Sequence, residues 1–230
     1  MDSETRDRLT NQHGFCVEEM GPNERIWAAV KSTVPYTRRR DCELRGICSL
    51  WLEFGTGSKK YIVIGAYREF QRLDVDKDQR TFEAQKKRWV KFMKKVQDFI
   101  LSSQMEVHLL GDLNLDTMRW PQLGSMKKGW KWTWFVDKLY EHLINGAGMN
   151  LSETDGVTWT SGCGTKSSCL DIHFCNKPNK VHKVTISNEF TKDHQTLVVV
   201  RAESDQAGSQ TCTNRKWSHV DYVCLVHRVL

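Results

Sequence analysis

Three short stretches hold residues able to do chemistry. In "HLLGDLNLD" (108–116) an apolar run leads straight into Gly-Asp-Leu-Asn. Asp112 and Asn114 are two residues apart, so where a strand pattern persists both side chains point the same way. Gly111, just before them, permits a close backbone approach or unusual dihedral angles. In "SSCLDIHF", Asp171 stands in an apolar strand pattern among Leu170, Ile172 and Phe174. A carboxylate there is costly unless it is paired or working. In "FTKDHQTLVVV", Asp193 and His194 come just before another apolar run. Singly, each Asp reads as a turn or cap, and His194 as a satisfied histidine at the core's edge. Together, three carboxylates at strand ends with Asn114 and His194 beside them suit a site of hard oxygen ligands for a divalent cation such as Mg2+.

The elements that must position these residues alternate in period. "RIWAAV" (25–30), "ICSLWLEF" (47–54) and "YIVIGAY" (61–67) read as strands, the last two as a hairpin or an adjacent antiparallel pair. "RTFEAQKKRWVKFMKKVQDFIL" changes to helical spacing through Phe82, Trp89, Phe92, Val96 and Phe99. Its polar face is basic, with Lys86, Lys87, Arg88, Lys91, Lys94 and Lys95, and a solvated outer face accounts for that charge. A buried strand then runs into the Gly-Asp-Leu-Asn stretch. "WFVDKLYEHLINGAG" predicts a second helix stopped at Gly146, and "GVTWT", "CLDIHF", "KVTIS" and "TLVVV" predict further strands. Strands, two helices and more strands point to α/β or α+β layers. Residues 1–24 read as a polar N-terminal segment, 25–201 as the domain, and 202–230 as a linker or the start of a following region.

The 230 residues suffice for one large domain or two small ones. Apolar content of 39% and charged content of 27% fit a globular protein, and the net charge of +6 permits a polyanionic partner without establishing one. The eight cysteines are scattered, with no Cys-x-x-Cys and no secretory signal peptide, which predicts reduced thiols in an intracellular protein. No apolar run is long enough to span a bilayer.

Taken in order, "GDLN" (111–114), "SSCLD" (167–171) and the Asp193–His194 pair resemble the endonuclease/exonuclease/phosphatase superfamily. That superfamily includes apurinic/apyrimidinic endonucleases, DNase I-like nucleases and inositol-polyphosphate phosphatases. "IGAYREF" resembles its Tyr-bearing strand and "VTWT" its Thr-rich strand. "AYRE", "GDLNLD" with a following Trp, and the tail "NRKWSHVDY" are similar to the endonuclease domain of non-LTR retrotransposons, where a reverse transcriptase follows in the same polyprotein. The resemblance covers residues 25–201.

It implies a four-layer α/β sandwich, two packed mixed β-sheets flanked by helices, here lacking the first strands. It implies phosphodiester hydrolysis with Mg2+ or Mn2+ as cofactor, DNA as partner, a monomeric domain and a nuclear place of action. Carried over by position, Asp112 and Asn114 position and activate the attacking water. His194 contacts the scissile phosphate, Asp171 orients His194, and Tyr67 bonds a phosphate oxygen. Asp193 and Asp112 hold the metal, and Arg68 and Lys192 touch DNA. The family's principal Glu ligand lies on an early strand; Glu4 is the candidate this chain offers, with no apolar strand before it. Lys192 stands where the family carries Ser. Two other readings remain beside the nicking endonuclease. One is a phosphatase or phosphodiesterase of the same fold acting on inositol phosphates or phospholipids. The other is a catalytically dead remnant that binds nucleic acid through the basic helix and Arg38, Arg39 and Arg40.

Overall fold

The computed structural model describes residues 3–20, 26–69, 77–118, 133–154, 156–187, 194–201 and 223–227. A short helix α1 (Ser3–Asp7) precedes strands β1 (Phe15–Glu19), β2 (Ile26–Lys31), β3 (Tyr36–Arg38), β4 (Cys48–Phe54) and β5 (Tyr61–Tyr67). Helix α2 (Lys77–Ser103), β6 (Glu106–Asp112) and α3 (Thr133–Leu139) follow, and α3 continues as a π-wound segment that ends at Gly146. The remaining strands are β7 (Asn150–Leu151), β8 (Trp159–Thr160), β9 (Ser167–Ser168), β10 (Asp171–Cys175), β11 (Val181–Ser187), β12 (Thr196–Arg201) and β13 (Val223–His227).

A mixed six-stranded sheet in the order β3-β4-β5-β6-β10-β7 is the centre of the molecule. Its strands are apolar on both faces because both faces are covered. Trp51 of β4 and Ile62, Ile64 and Ala66 of β5 point to one side. There Val107 and Leu109 of β6 and Ile172 and Phe174 of β10 join them under Phe82, Trp89, Phe92, Met93, Val96 and Ile100 of α2 and Phe135, Val136 and Leu139 of α3. The alternate residues, Leu50, Leu52 and Phe54 of β4 with Tyr61, Val63 and Tyr67 of β5, face the other way and pack on Ile26, Ala28 and Val30 of β2. The period of two along each strand thus sorts one sheet into two cores. This is an α/β sandwich of packed sheets flanked by helices, as the resemblance implies.

The second layer consists of the sheet β1-β2-β13 and the pair β11-β12. β2, whose Ala28 and Val30 are wholly buried, is flanked on both edges, by β1 through Phe15↔Lys31 to Glu19↔Trp27 and by β13 through Val223↔Val30 to His227↔Ile26. β1 comes from the stretch read as a polar N-terminal segment, and β13 from the stretch read as a linker or following region. Both pair with β2, so each of its edges is covered.

Between the large sheet and β12 the interior is polar. Glu106 and His108 of β6 and His173 of β10 are buried side chains on the inter-sheet face. His108 Nε2 meets Glu106 Oε1 at 2.7 Å, His108 Nδ1 meets His173 Nε2 at 3.0 Å, and His173 Nδ1 meets Ser152 Oγ at 2.7 Å. Arg201 of β12 donates two hydrogen bonds to Glu106, at 2.5 and 2.8 Å. Burial pushes the Glu106 carboxyl up, but the bonds from His108 and Arg201 outweigh it and hold it at about 2. Burial, with His108 beside it, pulls His173 down to about 3, so it is neutral near pH 7. Neutral His173, ionised Glu106 and cationic Arg201 make a matched set in a place too dry for unpaired charge.

Candidate active site

The Gly-Asp-Leu-Asn stretch ends β6 at the rim of the large sheet. Gly111 has φ +143°, and a β-carbon there would lie 1.9 Å from the Ala66 carbonyl oxygen of β5. Only glycine permits that approach, and it lets the Arg68 backbone N–H donate to the Asp112 carbonyl at 3.0 Å. Asn114 then takes a left-handed backbone (φ +51°), a region Asn tolerates better than most side chains. Its backbone N–H donates to Asp112 Oδ1 at 2.7 Å, and its Nδ2 donates to the Arg68 carbonyl at 2.7 Å.

Antiparallel pairing of β10 with β6 sets Asp171 directly opposite Asp112. Asp171 Oδ2 meets His194 Nδ1 at 2.9 Å. The sheet register and these bonds therefore connect Asp112, Asn114, Asp171 and His194, although 82 positions separate the first from the last in sequence (194 less 112). Burial raises the Asp112 carboxyl to about 7. The Asp171 charge adds to that, while the Asn114 amide, His194 and Arg68 pull the other way. Tyr67 ends β5 one residue before Arg68 and is buried in the inter-sheet core.

Thr158 and Asp116 also brace the site, and the sequence did not single them out. Thr158 is wholly buried, and its Oγ1 accepts from the backbone N–H groups of Leu170 and Asp171, both at 2.9 Å. Its carbonyl accepts from Gln195 N–H at 2.7 Å, and Trp159 bridges His194. One residue thus fixes both members of the Asp171–His194 pair. Asp116 Oδ1 accepts from Cys169 N–H at 3.1 Å and ties the rim loop to the approach of β10. Both lie in stretches quoted for the resemblance, "VTWT" and "GDLNLD", but the sequence assigned neither side chain a role.

Several expectations are corrected or left outside. Arg68 does not face a ligand: it is 1% exposed, with Nε and Nη2 donating to the Leu113 and Asn114 carbonyls at 2.6 and 2.7 Å and Nη1 to Gln85 at 3.1 Å. Burial pulls its guanidinium down to about 10, still cationic near pH 7, so it acts as an internal clamp beneath Asn114. Arg38 and Arg39 are likewise engaged, Arg38 with Glu18 and Glu43 and Arg39 with Asp41 and Glu53. Lys192 and Asp193 lie outside the described residues. Glu4 is exposed on α1.

Among the described residues no three His, Cys, Asp or Glu side chains gather as a metal cluster would need. The donor chemistry nonetheless fits a hard divalent cation. Asp112 and Asp171 are oxygen donors whose mutual repulsion helps raise Asp112, and a cation relieves that repulsion.

No protein-family model matches the chain, and no curated protein matches it. Solved structures do. The endonuclease domain of TRAS1, a telomere-specific non-LTR retrotransposon, is similar over 84% of this chain and 82% of that domain, at 13% identity with a TM-score of 0.58. Truncated Caenorhabditis elegans TDP2 is similar over 86% of this chain and 79% of that one, at 13% identity with a TM-score of 0.52. With packed mixed sheets, helices outside and carboxylates at the strand ends, the chain has the DNase I-like α/β sandwich fold shared with the TRAS1 endonuclease domain.

Proposed function

We propose that the chain hydrolyses phosphodiester bonds in DNA as a divalent-metal-dependent nicking endonuclease of retrotransposon origin. The observation that carries this reading is the rim pairing of Asp112 with Asp171, with His194 bonded to Asp171. The fold shared with the TRAS1 endonuclease domain supports it.

Asp112, at the rim opposite Asp171, is placed to accept a proton from or orient the attacking water when ionised. Asn114 holds that carboxylate through its backbone N–H and side-chain amide. Asp171 accepts from His194 Nδ1–H, which turns Nε2 outward to donate to a phosphate oxygen as charge builds there. Arg68, beneath the loop, holds the Leu113 and Asn114 carbonyls and so keeps Asp112 and Asn114 in step. Asp112, with Asp193, would hold a Mg2+ or Mn2+ ion, which neutralises charge on a phosphodiester and acidifies water.

The test is nicking of supercoiled plasmid in Mg2+ by the full chain and by His194→Ala. The expected result is relaxed circles with the wild type and a loss of 10²-fold or more, on the order of a general-acid or charge-stabilising group, in the variant. Equal nicking by both, or none by the wild type in Mg2+ and Mn2+, overturns the reading.

A further inference from the structure

Helix α2 carries a row of cations that form no ion pair among the described residues. Its apolar side faces the core, and the opposite side exposes Lys87, Lys91 and Lys94, with Arg88 and Lys95 partly exposed beside them. Among the described residues none of these five forms an ion pair, whereas Lys86, one position earlier, bonds Glu83. Exposed Arg45 joins the row. It precedes Gly46, where a β-carbon would stand 3.3 Å from Arg88 Cδ.

Nearby acids are engaged elsewhere. Asp41 and Glu53 hold Arg39, Glu18 and Glu43 hold Arg38, and Glu141, which feels the charge of Lys94, is bonded to Lys138. Asp98, one turn beyond Lys94, offsets a single charge. Lysines three or four residues apart on a helix repel, and Lys87–Lys91, Lys91–Lys94 and Lys91–Lys95 are such pairs. Solvation alone tolerates this row but gives no reason for a single sign, since solvent-facing helices ordinarily alternate charges at this spacing.

We infer that this face of α2, with Arg45, is a second binding surface that grips the phosphate backbone of a nucleic-acid duplex. It lies across the large sheet from the candidate active site: Ile172 and Phe174 of β10 point toward α2, while Asp171 and His173 alternate away from it. From Lys87 to Lys95 the helix rises about 12 Å, the span of about three to four phosphates of one strand. Among the described residues of α2 the one exposed large apolar side chain is Leu101. Bases therefore find no aromatic platform of the kind single strands use, and a lipid surface finds little to bury. Contacts of this type position a duplex without reading its sequence.

The inference does not rest on the hydrolytic reading, because a chain that binds here and never cuts satisfies it. The test is binding of a mixed-sequence DNA duplex by the full chain across a salt series, with Lys87→Gln/Lys91→Gln/Lys94→Gln and a control triple, Arg8→Gln/Lys59→Gln/Lys183→Gln. The control removes the same charge from exposed positions elsewhere. Gln is a good helix former, so the α2 triple keeps the helix. The expected result is a slope of log affinity against log salt that falls by about 2.7 in the α2 triple and stays at the wild-type value in the control. Equal falls in both triples, or no fall in either, overturns the inference. So does an α2 triple that loses phosphatidylserine vesicles while keeping the duplex slope. The salt slope is read on binding alone, with no nicking step, which separates this test from that of the proposed function.

Discussion

At the residue scale, Asp112 concentrates the tension in the site. Its carboxyl is raised from 3.8 to about 7 because it is buried and faces Asp171. A raised carboxyl holds its proton more tightly in the folded chain than in the unfolded one, so folding stability falls as pH rises from about 4 through about 7. In the metal-free protein this slope should amount to roughly 4 kcal/mol, and Asp112→Asn should flatten it. Thermal melts from pH 4 to pH 8 for both proteins check this. Added Mg2+ should raise the wild-type melting temperature at pH 8 and leave Asp112→Asn unmoved. Thr158 makes a second prediction. Thr158→Val keeps the shape but strands the N–H groups of Leu170 and Asp171, at a cost of about 1–3 kcal/mol. Because the same residue aligns Asp171 and His194, nicking by Thr158→Val, assayed at a temperature where the variant is fully folded, should drop as well.

At the element scale, the strongest test lies at the contact of β5 with β6. Gly111→Ala would drive a methyl to within 1.9 Å of the Ala66 carbonyl, so the strands must part or the variant must unfold. The expected loss exceeds the roughly 1–3 kcal/mol of ordinary overpacking, read as a denaturant midpoint shift. The polar layer predicts acid sensitivity. Glu106, held at about 2, stabilises the fold above its unfolded value of 4.5, and this contribution is lost as pH falls through about 2. His173, held at about 3, disfavours the fold progressively as pH falls below 6.5. Glu106→Ala leaves Arg201 and His108 without their acid and should cost about 3–5 kcal/mol. Urea unfolding at neutral pH measures it.

These elements also show how far the sequence could be read. The apolar periodicities of β4, β5, α2, β6 and β10 were plain because each buries one or two whole faces, and the strands end within a few residues of where the pattern ends. The gathering of Asp112 and Asp171 was legible as strand-end carboxylates, since the cost of burying charge makes such residues stand out. Arg68 was misread, because an arginine looks the same in sequence whether it reaches for solvent or for two carbonyls beneath a loop. The strand expected at "GVTWT" is present but only as Trp159–Thr160, while β13 lies in a stretch whose polar approach masks it.

At the scale of the whole molecule, the pairing of β2 sets the limits of the fold. No helix among the described residues is long and apolar enough to cross a membrane. A chain trimmed to 25–201 loses β1 and β13 together and exposes both edges of an apolar strand. It should self-associate where the full chain stays dispersed, since open apolar edges recruit other strands. Light scattering of the two chains at matched concentration distinguishes these outcomes.

The bond between β2 and β13 joins Val30 to Val223, and this has a consequence in time. A ribosome adding about 5–20 residues each second needs roughly 10–40 s to travel from one to the other. Throughout that interval a half-built sandwich waits beside its own polysome neighbours with an unfilled seam. Slower translation lengthens the vulnerable period, so yield of native material should depend on the speed of synthesis and on holding chaperones more than on the stability of the finished protein.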